Sequence, residues 1–146
     1  MADTAISDTW FGTGTKDVFT DRNSTLVVVR TASNAICTNM TGEFTTPLGH
    51  HFVDLANKVF GGGRPGCIFH NWWDVTGYDA EVRSMLTDFA KVHMAQIKGV
   101  HILLRSPLVV VGVRAANLIL GGVISAHARP APFLDAYQSW QRSSAA

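Results

Sequence analysis

The stretch CIFHNWWDVTGYDAEVRSMLTDFAKVHMAQIKGVHILLRS, residues 67–106, decides the fold. It reads as strand, helix, strand. Residues 67–73 are a short apolar run rich in aromatic side chains, preceded by Pro65-Gly66 and followed by Asp74. That pattern suits a strand buried on both faces. Asp74-Val75-Thr76-Gly77 is a turn signal, and its Asp or Thr can cap a following helix. Over residues 79–98 the apolar side chains recur at helical spacing: Val82, Met85, Leu86, Phe89, Ala90, Met94 and Ile97. Asp79 and Glu81 lie near the positive end of that helix and Lys98 near its negative end, with Gly99 as a C-terminal stop. Residues 100–104 form a second buried strand. A strand, a crossover helix and another strand imply parallel pairing with a right-handed connection.

Working outward, the segment before this unit carries two more strands. Residues 25–31 (TLVVVRT) and 35–45 (AICTNMTGEFT) flank a Ser33-Asn34 turn, a loop short enough for an antiparallel hairpin. In the second of these, Ile36, Thr38 and Met40 alternate with Cys37 and Asn39. Pro47 opens a helix whose stripe is Leu48, Phe52, Leu55, Ala56 and Val59, ended by Gly61-Gly62-Gly63. After the central unit, Ser106-Pro107 starts a helix that runs to Leu120 and stops at Gly121-Gly122. Residues 123–128 make a last strand, and Pro130 and Pro132 precede a terminal helix on which Phe133, Tyr137 and Trp140 share a face. The expected architecture is an α/β sandwich. It has a mostly parallel sheet of about five strands, an N-terminal antiparallel hairpin and four helices.

Residues 1–23, rich in Thr, Asp and Gly, read as an N-terminal arm before a domain at residues 24–146. Trp10-Phe11 either tacks this arm onto its own domain or anchors it in another subunit.

The totals exclude several function classes. A chain of 146 residues is one domain and buries about 70% of its unfolded surface, so it needs no disulfide staple. The net charge is +1 with no basic stripe, which argues against a nucleic-acid partner. Cys37 and Cys67 fall inside predicted strands and read as buried thiols of a reducing compartment. Residues 1–8 have no basic or apolar leader region, and the most apolar stretch, residues 107–124, contains Arg114 and Asn117. A central Arg costs about 2.5–3.5 kcal/mol on membrane insertion, so no membrane span is expected and the location expected is cytoplasmic.

Catalytic chemistry is not evident. Among six histidines, His70, His101 and His127 lie in three predicted strands, yet side chains alternate faces along a strand and no carboxylate or i, i+4 His pair supports them. No metal and no cofactor is expected. His50 and His51 point about 100° apart on a helix, a poor geometry for one ion. The Gly61–Gly66 segment follows a helix and precedes a strand, the wrong order for a phosphate loop, and no Gly-x-Ser-x-Gly elbow exists. Trp72 and Trp73 point to opposite faces of their strand, either as core or with one ring lining a ligand pocket at the strand's C-terminal end. In a parallel sheet, residues 74–78 and Arg105-Ser106 meet at one edge. The expected ligand or partner surface is Trp72, Asp74, Thr76, Tyr78, Arg105 and Ser106.

The helix over residues 107–120 is apolar around most of its circumference, wider than the roughly 100° stripe one sheet covers. Leu108, Val111, Ala115 and Leu118 form one row, and Val109, Val113, Ala116 and Leu120 the next. A homo-oligomer or partner interface is expected there, involving Val110, with Arg114 and Asn117 at its rim and Trp10 and Phe11 as further anchors.

Over residues 24–139 this order resembles the STAS domain, the fold of bacterial anti-sigma-factor antagonists, of sulfate-transporter tails and of small stand-alone bacterial proteins. Gly42-Glu43-Phe44 stands where the family often has Gly-Glu-Leu, residues 66–77 look like its third strand and Asp-Leu-Ser-Gly exit, and residues 103–120 like its fourth strand and apolar helix. The resemblance implies a non-enzymatic module for bacterial regulation or assembly that binds a protein partner or itself. The alternative is a small-ligand protein, for lipid or nucleotide, using the strand ends. The family's Asp-Ser-Ser-Gly phosphorylation motif fits in two registers. One makes Thr76 the phosphoacceptor; the other matches Asp74-Val75-Thr76-Gly77 to the strand exit and moves the acceptor position near Glu81.

Overall fold

The computed structural model of the chain describes residues 9–145. Within them the elements run β1 (Thr15–Asp21), β2 (Ser24–Arg30), β3 (Ala35–Phe44), α1 (Thr46–Phe60), β4 (Gly66–Tyr78), α2 (Ala80–Val92), β5 (Ile97–Leu103), α3 (Pro107–Ile119), β6 (Ile124–His127) and α4 (Pro130–Ala145). The strands neighbour one another in chain order, β1-β2-β3-β4-β5-β6. The first two pairings are antiparallel and the remaining three parallel. Each parallel step carries its own crossover helix.

Because the strand order never reverses and the crossovers share one hand, α1, α2 and α3 lie together on one face of the sheet. The opposite face is covered by α4 and the Trp10-Phe11 segment. The period-2 alternation divides the strands between these layers. Leu26, Val28, Ile36, Met40, Ile68, Trp72, Val100 and Ile102 face the three helices. Val29, Cys37, Cys67, Phe69 and Leu103 face α4. The α/β sandwich and its N-terminal hairpin are therefore as the hydrophobic pattern requires.

Three boundaries differ from the sequence reading. The arm at residues 1–23 contains a sixth strand: Thr15–Asp21 forms the β1 edge, paired from Thr15↔Arg30 to Asp21↔Ser24. Its residues are polar because they are half solvated, and Phe19 stacks on His51 of α1 at 4.1 Å. Residues 1–8 of the arm lie outside the described residues. Second, residues 74–77 continue β4 and form no turn. Against β3, β4 carries an extra residue between Asn71 and Asp74 and another between Val75 and Gly77. Bulges use the same Gly, Asp and Thr residues that turns use, and here they keep Trp72, Val75 and Tyr78 on the helical face despite their odd spacing. Third, α2 ends at Val92, and Ile97 and Gly99 belong to β5.

The arm's aromatic pair packs on its own domain. Phe11 is buried, Trp10 meets Phe133 and Tyr137 edge-on at 5.0 and 5.1 Å, and Trp10 Nε1 donates to Asn39 Oδ1 at 2.7 Å. Both rings pack against α4 and β3 of their own chain, Trp10 remaining partly exposed.

Candidate functional site

The residues singled out by sequence divide between the two faces of the sheet where β4 and β5 end. On the α4 side, Arg105 reaches back over β4. Its Nε donates to the Trp73 carbonyl at 2.9 Å, its Nη2 to Asp74 Oδ1 at 3.0 Å, and its guanidinium lies 5.1 Å from the Trp73 ring centroid. The strand ends thus bring Asp74 and Arg105 together as expected. The pair is about half exposed on both sides, so it contributes little to stability, about 0–1 kcal/mol. Thr76 is exposed on the second bulge, inside β4 and not at the start of α2, whose N-cap is Asp79. Asp79 Oδ2 accepts from the amide and hydroxyl of Thr46 at 2.8 and 3.0 Å, so it also closes the first turn of α1. Ser106 is the N-cap residue of α3 by position and makes no side-chain cap hydrogen bond.

Trp72 and Tyr78 go the other way, into the helical layer. There they border a cavity of about 80 Å³ between α2 and α3, floored by Val75, Val100 and Ile102. Its lining is apolar almost throughout. Leaving such a space unfilled costs a core about 2 kcal/mol. Small residues of the two helices, Ala90 and Ala116, keep it open. A Cβ at Gly112 would collide with the Tyr78 hydroxyl, so glycine lets the phenol lie directly against the α3 backbone. Trp72 is buried and its Nε1 has no hydrogen-bond partner, an arrangement that costs about 1–3 kcal/mol.

His70 also borders this cavity and was not read from the sequence as part of the site. Its Nδ1 is 2.8 Å from Thr38 Oγ1 and its ring stacks on Trp72 at 4.5 Å. Burial pushes His70 down to about 3, so it is neutral across the physiological range. His101 and His127 are on the opposite face. Their Nδ1 and Nε2 atoms are 3.1 Å apart, one donating and the other accepting, with the His101 ring stacked on Phe69 at 5.1 Å. Burial holds both below the usual histidine range, and the neighbouring His127 adds to the effect at His101. The sheet therefore separates His70 from the His101–His127 pair. Among the described residues no three His, Cys, Asp or Glu side chains are placed to hold a metal ion. Burial raises both thiols, Cys67 to about 12, and Cys67 Sγ donates to the Gly99 carbonyl at 3.2 Å.

On α3, Val109, Gly112 and Val113 are buried while Leu108, Val111, Leu118 and Ile119 are 61, 64, 86 and 59% exposed. Arg114 is exposed beside them. Val110 packs against the main core, and Asn117 is not a free rim residue: it donates to the Ile124 carbonyl at 3.1 Å and accepts from the Ile124 amide at 2.8 Å, fixing the start of β6. The outward row is thus Leu108, Val111 and Leu118, one side round from Val110.

No helix among the described residues is long and apolar enough to cross a membrane. No protein-family model matches the chain, and no curated protein matches it. Among solved structures it is similar to an uncharacterized protein of the DUF3478 family with a SpoIIAA-like fold from Shewanella loihica PV-4. The likeness has a TM-score of 0.55 at 14% identity and covers 84% of this chain and 92% of that one. At that identity it is the architecture that is shared, and the chain has the SpoIIAA-like, STAS-type fold.

Proposed function

We propose that this chain is a non-enzymatic STAS-type interaction module, acting in regulation or assembly, that docks a protein partner or a second copy of itself on the outer face of α3. The observation that carries this reading is the row Leu108, Val111 and Leu118, continued by Ile119, at 59–86% exposure on one helix. Contiguous apolar surface of this kind marks interaction sites on soluble domains. Arg114 gives the patch a charged margin. Of the two phosphorylation registers, the second is supported by the position of Thr76 within β4. Glu81 then supplies a permanent negative charge in the first turn of α2, where the helix dipole favours it, and the module needs no phosphate switch.

The test is the double variant Val111→Glu/Leu118→Glu, which exchanges exposed side chains and should leave stability within about 0.5 kcal/mol per site. Light scattering and affinity capture are expected to show an association in the wild type that the variant loses. A wild type that stays monomeric at high concentration, and captures nothing the variant fails to capture, overturns the proposal.

A further inference from the structure

We infer that the cleft between α2 and α3 is a binding site for a small amphiphilic carboxylate, its short acyl or aryl end in the cavity beside Trp72 and its carboxylate at Arg83. The cavity, at about 80 Å³, is several times the roughly 10–15 Å³ that one water molecule needs, and its lining is apolar almost throughout, so it suits an apolar group. Its openness is built in by Ala90 of α2 and Ala116 of α3, small residues that both line it.

The polar groups at the site define the rest of the ligand. His70 is already engaged with Thr38, and the Thr87 hydroxyl donates to the Arg83 carbonyl at 2.7 Å. Besides the Tyr78 hydroxyl, which lies against the α3 backbone at Gly112, two donors stand at the site: Trp72 Nε1, buried and unpartnered, and the exposed Arg83 guanidinium, which pairs with no carboxylate among the described residues. No acidic side chain lines the cavity. A complementary ligand must therefore bring acceptors and negative charge, and the planar fork of one arginine matches a carboxylate. Because the buried space is short, only the end of a chain or one small ring fits within it, and the remainder follows the cleft to Arg83. The site lies on the inner side of α3, opposite the docking row, and binding in it does not depend on docking.

The experiment titrates octanoate into the full chain, following tryptophan fluorescence and calorimetry, with octanol and acetate as probes lacking the charge and the tail. Saturable binding of one octanoate per chain is expected, with octanol about tenfold weaker and acetate inactive. Arg83→Gln is expected to weaken octanoate about tenfold and leave octanol unchanged. Ala116→Leu, which fills the cavity, is expected to abolish both while the circular dichroism and urea midpoint stay at wild-type values. Should Ala116→Leu fail to fold, 8-bromooctanoate locates the tail: its quenching must fall in Trp72→Phe. Absence of saturable octanoate binding, binding undiminished by Ala116→Leu, quenching unchanged by Trp72→Phe, or indifference of octanoate to Arg83→Gln would each overturn the inference.

Discussion

The two faces of the sheet solve the same burial problem differently. The first is covered by three helices, and a cavity remains between α2 and α3. The second is covered by one helix and a short arm, and there three aromatic rings are tied down by polar groups, while Trp73 Nε1 is buried without a partner. Tyr137 Oη donates to the Phe11 carbonyl at 2.5 Å, Trp10 Nε1 to Asn39, and Trp140 Nε1 to the Ser33 carbonyl at 3.2 Å, while Ser33 Oγ bonds Gln141. Phe69, Phe133 and Tyr137 pack edge to face around that framework. More covering elements do not mean a tighter layer. Directional partners hold the sparse face together, and small residues leave the crowded face open.

The largest effect should come from loosening the sparse face. Phe133 is completely buried and joins Phe69, Trp10 and His127. Phe133→Ala is expected to cost about 3–5 kcal/mol in urea unfolding, because one helix has little neighbouring apolar matter with which to refill the gap. A loss below about 1 kcal/mol would mean that α4 is dispensable and that the comparison between the faces is mistaken.

The same contrast explains what the sequence could reveal. The central strands and the three crossover helices were legible because their periods, 2 and 3.6, are imposed by a core on each side. Strand β1 was not, since its burial alternates only between exposed and half-buried and its hairpin turn carries no glycine: Arg22 itself takes φ 56°. The extension of β4 was hidden because Asp74-Val75-Thr76-Gly77 has the composition of a turn, and only the pairing register with β3 distinguishes bulges from a turn. The meeting of Asp74 with Arg105 followed from parallel strand ends. The cavity did not, for it arises from the distance between two helices. Its faint trace was the small residues Ala90 and Ala116 on the two helices.

An intermediate effect should appear on acidification, and it belongs mainly to the crowded face. His70 is held neutral when folded, down to about 3, whereas the unfolded chain takes up its proton near 6.5. The unfolded state therefore binds more protons between those values. The contribution is intact above pH 6.5 and is lost as pH falls through that window, reaching about 2 kcal/mol by pH 5. His101 and His127 shift in the same direction but are only partly buried, so their share is smaller. His70→Gln keeps a partner for Thr38 and removes the titration. The stability of this variant should fall less between pH 7.5 and pH 5 than that of the wild type, and parallel curves would assign the acid loss elsewhere.

The smallest effect is a difference in sign between adding the same atoms to the two faces. Ala116 borders the cavity, whereas Ala35 is fully buried beneath the α4 layer, next to Cys67 in the sheet register. Ala35→Leu must displace packed neighbours and should cost about 1–3 kcal/mol. Ala116→Leu enters space that is already present. The transfer gained by burying its added carbons offsets the helix-side adjustment, leaving stability within about 1 kcal/mol of the wild type or slightly above it. Urea midpoints measured side by side decide the matter. Equal losses in the two variants would mean that the helical layer closes over the cavity in solution, and that the looseness distinguishing the two faces is absent.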